Sequence, residues 1–318
     1  MLKARNHSLK KIVGSIAAVY ISLITLIACS NPQAEFFYGT LGLGDKKLLV
    51  ATSNAGALTV LMYDLNGRLV DVVADYTFTN DVPRGIAAFD TFNFMILLDG
   101  VDRLQRVSLK GLAPADFADP GLAGTLFQMT FDPIGRRYYA IEGNFIEGFS
   151  REGLRIGNPI INTTVGACVL NVPRGVFATN DGRLLSVGTG NDRLSIYNIS
   201  TTTPTCVSTN TSLGAFDPFA IIQHSNGLLY YVDQGNDRVN SLPASGVGAP
   251  TIVWATDLTT INNPTAILEL PDGTLLVASD LTNSIERITT DGVRVGSTPF
   301  IRDAFTGAVS QMMLIGGE

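Results

Sequence analysis

VPRGVFATNDGRLLSVGTGNDRLSIY, residues Val172 to Tyr197, holds the pattern on which the fold turns. Proline lacks an amide N–H, so Pro173 suits the first position of a strand, and Gly175 permits close packing where several strands crowd together. The turn at Gly182 follows, and then the apolar strand Leu184 to Val187. A second turn, Gly190-Asn191-Asp192, leads into the amphipathic strand from Arg193. Short strands punctuated by Gly, Asn and Asp, with no helical periodicity between them, describe an antiparallel meander.

The same unit recurs along the chain. Further copies open at Val82-Pro83-Arg84-Gly85, Asp217-Pro218-Phe219-Ala220 and Asn263-Pro264-Thr265-Ala266. The turn closing the third strand falls at Gly67, Gly111, Gly153, Ser200, Gly246 and Gly292, six marks spaced by 44, 42, 47, 46 and 46 residues. A repeat of this length built from four antiparallel strands is the blade of a propeller. The first unit begins with the second-strand pattern Lys47-Leu48-Leu49-Val50-Ala51 and lacks an innermost strand. Gly307 to Ile315 supplies an innermost strand with no blade after it. The chain is therefore expected to be all-β, a six-bladed β-propeller of four-stranded antiparallel blades, closed by the C-terminal strand joining the N-terminal blade.

Val172 to Tyr197 resembles the repeat of the NHL propellers, whose units run Pro-x-Gly, a glycine turn, and an Asn-Asn-Arg-Ile-like turn. The resemblance extends over residues 38–318 and implies fold more than function, because its relatives include protein-binding modules, ligand-binding lipoproteins and enzymes. A more distant likeness is to lactonases of the gluconolactonase and regucalcin type, which implies a divalent cation in the central channel. Where that family carries Leu-Gly-Glu-Gly-Pro, this chain reads Leu41-Gly42-Leu43-Gly44-Asp45. Leucine offers no oxygen ligand, so neither a metal nor another cofactor is expected.

Upstream of the repeats, Lys3, Arg5, Lys10 and Lys11 precede the uncharged run Ile12 to Ala28, which ends in Leu26-Ile27-Ala28-Cys29. This is the layout of a signal peptide, and its last four residues resemble a bacterial lipobox. Residues 1–28 are expected to be removed, with diacylglycerol on Cys29 as the membrane contact and residues 29–37 as a lipidated tether. An uncleaved transmembrane anchor is the alternative, since 17 uncharged residues sit at the lower edge of a bilayer span. Ser30 after the cysteine points to the outer membrane where a cell has two. Removing the leader takes the formal net charge from −6 to −10, which disfavours nucleic-acid partners. Cys168 and Cys206 remain, either bridged in an oxidising compartment or separately buried.

Candidate functional residues follow from strand direction. The start of each first strand and the turn between second and third strands share one face, so Arg84, Arg174, Asn191, Asp192, Asn236 and Asp237 are the ligand-binding candidates. Arg84 and Arg174 occupy the same blade position near the channel mouth, where they either bind an anionic ligand or pair with carboxylates of neighbouring blades. The opposite face, bearing the turns at Gly135, Gly182, Gly227 and Gly273, is expected to offer little side-chain surface. Asp99, Asp233 and Asp280 end second strands and are expected to cap turn amides. His224 is expected to be an exposed turn residue, and with no Gly-x-Ser-x-Gly elbow a catalytic triad has no support. The expected function is a monomeric binding or scaffolding propeller of the cell envelope, taking a protein, peptide or glycan; the alternative is a channel-mouth lactone hydrolase or lyase.

Overall fold

The structure, a computed structural model, describes residues 46–316 apart from 54–57, 80, 112–113, 117–121, 123, 215–216, 256–259 and 303–307. The leader, Cys29, the tether and the Leu41 to Asp45 stretch lie outside the described residues. Six four-stranded antiparallel sheets form the blades of a propeller. Blade 4, the unit from which the repeat was read, runs outward through Pro173–Ala178, Arg183–Gly188, Arg193–Asn198 and Thr205–Asn210. The innermost strands of blades 2, 3, 5 and 6 are Val82–Ala88, Leu126–Asp132, Pro218–Gln223 and Pro264–Glu269.

Blade 1 closes the ring as expected. Its innermost strand is Val309–Ile315, paired antiparallel with Lys47–Thr52 from Lys47 opposite Ile315 to Thr52 opposite Val309. Ser53 adds a backbone bond to the Ala308 carbonyl at 2.9 Å. A closed ring leaves no innermost sheet free to pair with another chain.

Apolar side chains alternate to the two sides of each sheet and pack between blades rather than along the axis. Between blades 3 and 4, Tyr139, Ile141 and Ile146 meet Val176, Leu184 and Tyr197. Between blades 6 and 1, Ala278 and Ile285 meet Leu48, Val50 and Tyr63. The small residue after the bulge in blades 2, 4, 5 and 6 explains how tightly innermost strands approach there. A Cβ on Gly175 would lie 2.7 Å from the Phe219 carbonyl oxygen, and one on Gly85 would lie 2.8 Å from the Met129 amide nitrogen. A hairpin, Thr164–Val165 with Cys168–Val169, bridges blades 3 and 4. A disulfide from Cys168 to Cys206 pins it to the outer strand of blade 4.

Gln311 strengthens the closure. Its side-chain oxygen accepts from the Ile86 and Met129 amides at 3.1 Å each, and its Nε2 donates to the Met129 carbonyl at 2.7 Å. One side chain thus joins the innermost strands of blades 1, 2 and 3. Deleting residues 307–318 is expected to remove the seam and this clamp together, lowering the melting temperature by more than about 10 °C and producing aggregates on size-exclusion chromatography, because two sheet edges become exposed.

Candidate functional site

Each innermost strand begins with a bulge, and the six bulges form a ring around one mouth of the channel. The register against the second strand skips Arg84 in blade 2, Arg174 in blade 4, Phe219 in blade 5 and Thr265 in blade 6. It skips Ser310 in blade 1 and Phe127 with Gln128 in blade 3. A bulge re-aims its side chain and sharpens local twist, and here all of these residues line a cavity of ≈ 60 Å³ at the mouth.

The two arginines differ in their surroundings. Arg84 Nε lies 3.2 Å from Asp99 Oδ2, a carboxylate of its own blade rather than of a neighbour. Arg174 has no carboxylate within ion-pair distance among the described residues. Its guanidinium instead stacks over the Phe127 ring at 3.9 Å, with the Phe219 ring centre 6.0 Å away. Burial lowers the Arg174 pKa from its ordinary value; the nearby Arg84 lowers it further, and Asp217 opposes them. A charged group disfavoured by both its setting and a like charge is a place where an anion gains affinity.

The Asn-Asp turns serve a different purpose. Asp192 Oδ1 accepts from the Asp217 amide at 3.1 Å, and Asp237 Oδ1 accepts from the Asn263 amide at 2.6 Å. Asn191 Nδ2 donates to the Val169 carbonyl at 3.3 Å, and Asn236 Nδ2 to Asp233 Oδ2 at 2.9 Å. These four side chains join blades and turns, and none lines the mouth.

Three other expectations are corrected. His224 is buried, not exposed: its Nδ1 accepts from the Asn226 amide at 3.0 Å, which leaves Nε2 to donate to the Gly273 carbonyl of blade 6 at 3.0 Å. Asp280 receives a side chain rather than a turn amide, Asn263 Nδ2 at 3.1 Å, and Asp233 receives Arg238 Nε at 2.8 Å. Asp99 receives Arg84 and, more weakly, the Leu126 amide at 3.4 Å. The face with the glycine turns also has more room than its short loops imply. A cavity of ≈ 180 Å³ lies at that end of the channel, lined mainly by apolar residues including Phe131, Ile222 and Leu268.

Phe127, Phe219, Thr265 and Ser310 were missed as site residues although the signal was present for two of them. Phe219 and Thr265 follow a strand-opening proline, as Arg84 and Arg174 do. Blade 3 has no such proline, and Ser310 shows its equivalence only after closure.

No protein-family model matches the chain, and no curated protein matches it in sequence. Among solved structures, a chain of the nidogen/laminin complex is 16% identical with a TM-score of 0.68, matching 85% of this chain and 98% of that one. A Bacteroides caccae protein of unknown function is 13% identical with a TM-score of 0.59, over 85% and 99% of the two chains. A catalytically inactive histidine-to-alanine virginiamycin B lyase from Staphylococcus aureus, with quinupristin, is 18% identical with a TM-score of 0.53, over 69% and 72%. Likeness at these identities establishes the propeller fold.

Arg174→Met is expected to cost less than about 1 kcal/mol of stability, since only a stacking contact is lost. Arg238→Met leaves the fully buried Asp233 without its cation and is expected to cost about 3–5 kcal/mol. Chemical denaturation of the two variants measures the contrast.

Proposed function

We propose that this chain is a lipid-anchored propeller of the cell envelope that works by binding, and that it holds an anionic group of a protein, peptide or glycan partner in the channel mouth. The observation that carries this reading is Arg174: a guanidinium at the mouth, stacked on Phe127, with no carboxylate partner among the described residues. Several structural arginines in this protein have such partners, as Arg155 does in Glu147 and Arg294 in Glu286. The leader and lipobox support attachment through Cys29, on the outer membrane where the cell has two.

The alternative, a lactone hydrolase or lyase, has less support. Neither the mouth nor the larger cavity is lined by Asp, Glu or His among the described residues. The lyase from Staphylococcus aureus is inactivated by loss of a histidine. Here His224 is engaged at both ring nitrogens in a turn between blades 5 and 6, away from the mouth.

Cys29→Ser is expected to release the protein from the membrane fraction or leave an unprocessed precursor, as read by fractionation and mass spectrometry. On peptide and glycan arrays, the wild-type protein is expected to select acidic probes, and Arg174→Ala to lose them at an unchanged melting temperature. Selection of neutral probes, or acidic hits that survive Arg174→Ala, would contradict the proposal.

A further inference from the structure

We infer that the group held at the mouth is a carboxylate, bound between the Arg174 guanidinium of blade 4 and the Thr265 hydroxyl of blade 6. This deepens the anion-binding reading above and rests on it.

Most polar groups at the mouth are already used. Arg84 is held by Asp99. The Ser310 hydroxyl bonds the Pro83 carbonyl at 2.6 Å, and the Ser53 hydroxyl bonds the Ala308 carbonyl at 3.3 Å. Gln128 donates to the Ser310 carbonyl at 3.4 Å. Two side chains at the mouth have no hydrogen-bond or ion-pair partner among the described residues. Thr265 is 3% exposed, and its Oγ1 has no partner, although a buried hydroxyl without one is costly. The other is the Arg174 guanidinium.

Both remaining groups can donate, so the complementary ligand accepts. An ionised carboxylate is acceptor-only and matches the flat edge of a guanidinium. Phe127, Phe219, Ala308 and Val309 offer only side-chain contact to an apolar stem, while Arg84, held by Asp99 through Nε, is the one further cation in the lining. A phosphate or sulfate has more oxygens than Arg174 and Thr265 can meet, and those turned to the aromatic rings would be buried without donors, at a cost of roughly 1–3 kcal/mol each. Size agrees: a cavity of ≈ 60 Å³ admits a carboxylate group.

Entry is from the outer side of the mouth. Gln128 lines both the mouth and the larger cavity, and with the Gln311 clamp it puts amide side chains between the two compartments. The bound group therefore terminates at the bulge ring, with its stem directed outward.

The test is titration of the detergent-solubilised full chain, following the Arg174 Nε–Hε resonance, which is assigned from its absence in Arg174→Lys. The probes are N-acetylaspartate amide, glucuronate, inorganic phosphate and sulfate. A carboxylate probe is expected to shift the resonance at lower concentration than phosphate or sulfate, and whichever of the first two binds better distinguishes a peptide from a glycan source. Thr265→Val is expected to weaken the carboxylate about tenfold, and Thr265→Ser to restore it. Phosphate or sulfate binding more tightly than both carboxylates, or carboxylate affinity unchanged in Thr265→Val, overturns the inference while leaving anion binding in place. Absence of any shift with all four probes overturns the anion-binding reading as well.

Discussion

In blades 4, 5 and 6 the innermost strand starts where the amide before its proline is captured by the preceding blade. Asn144 of blade 3 accepts from the Val172 amide at 2.8 Å, Asp192 of blade 4 from Asp217 at 3.1 Å, and Asp237 of blade 5 from Asn263 at 2.6 Å. The carbonyl of each captured residue is held by its own blade, through the amides of Thr189, Gln234 and Asp280. With both backbone groups fixed, the residue before the proline adopts a left-handed backbone, at φ of 47°, 59° and 59° for Val172, Asp217 and Asn263. That conformation is unusual for any non-glycine residue and most costly for the β-branched Val172, on the order of 1–3 kcal/mol. The amide-to-carboxylate bonds at Asp217 and Asn263, at about 1.5–3 kcal/mol each, are large enough to offset it, and the bond from Val172 to the neutral Asn144 offsets about 0.5–1.5 kcal/mol.

The clasp has a consequence for the channel. In these blades the proline pairs with the second strand and the residue after it bulges out of the register. In blades 4, 5 and 6 those residues are Arg174, Phe219 and Thr265, three of the groups that define the mouth. This half of the mouth thus sits directly beside the points where blades 4, 5 and 6 are fastened to the blades before them. Substituting Asp192 or Asp237 would disturb the mouth without either residue touching a ligand.

This separates what the sequence made legible from what it did not. Strand order, blade number and closure depend on pairings within a blade, and these repeat every 42 to 47 residues along the chain. Arg84 and Arg174 were found because they share a position in that repeat. Contacts between blades leave no such trace. Asp192 reaches Asp217, and His224 reaches Gly273, across 25 and 49 residues of sequence, so the first was taken for a ligand-facing turn and the second for an exposed one. Asp99 and Asp233 were correctly placed at the ends of second strands, but their partners are the side chains of Arg84 and Arg238. Phe127 was hidden because blade 3 makes its bulge without a proline.

The bulge position is also where this fold tolerates chemical variety. The residues flanking it are constrained: proline precedes it in blades 2, 4, 5 and 6, and glycine or alanine follows, because a side chain beyond Cβ at Gly175 would meet the backbone of blade 5. The bulge itself holds serine, arginine, phenylalanine with glutamine, arginine, phenylalanine and threonine around the ring. Its side chains point into the channel mouth and only lean on the apolar layers between blades, as Phe127 and Phe219 do. A change there alters ligand chemistry at little cost to packing, whereas a change one residue later moves a blade. Specificity and stability are therefore carried by adjacent residues with separate roles, and the unpaired Arg174 can be maintained at the mouth because the fold does not depend on its being paired.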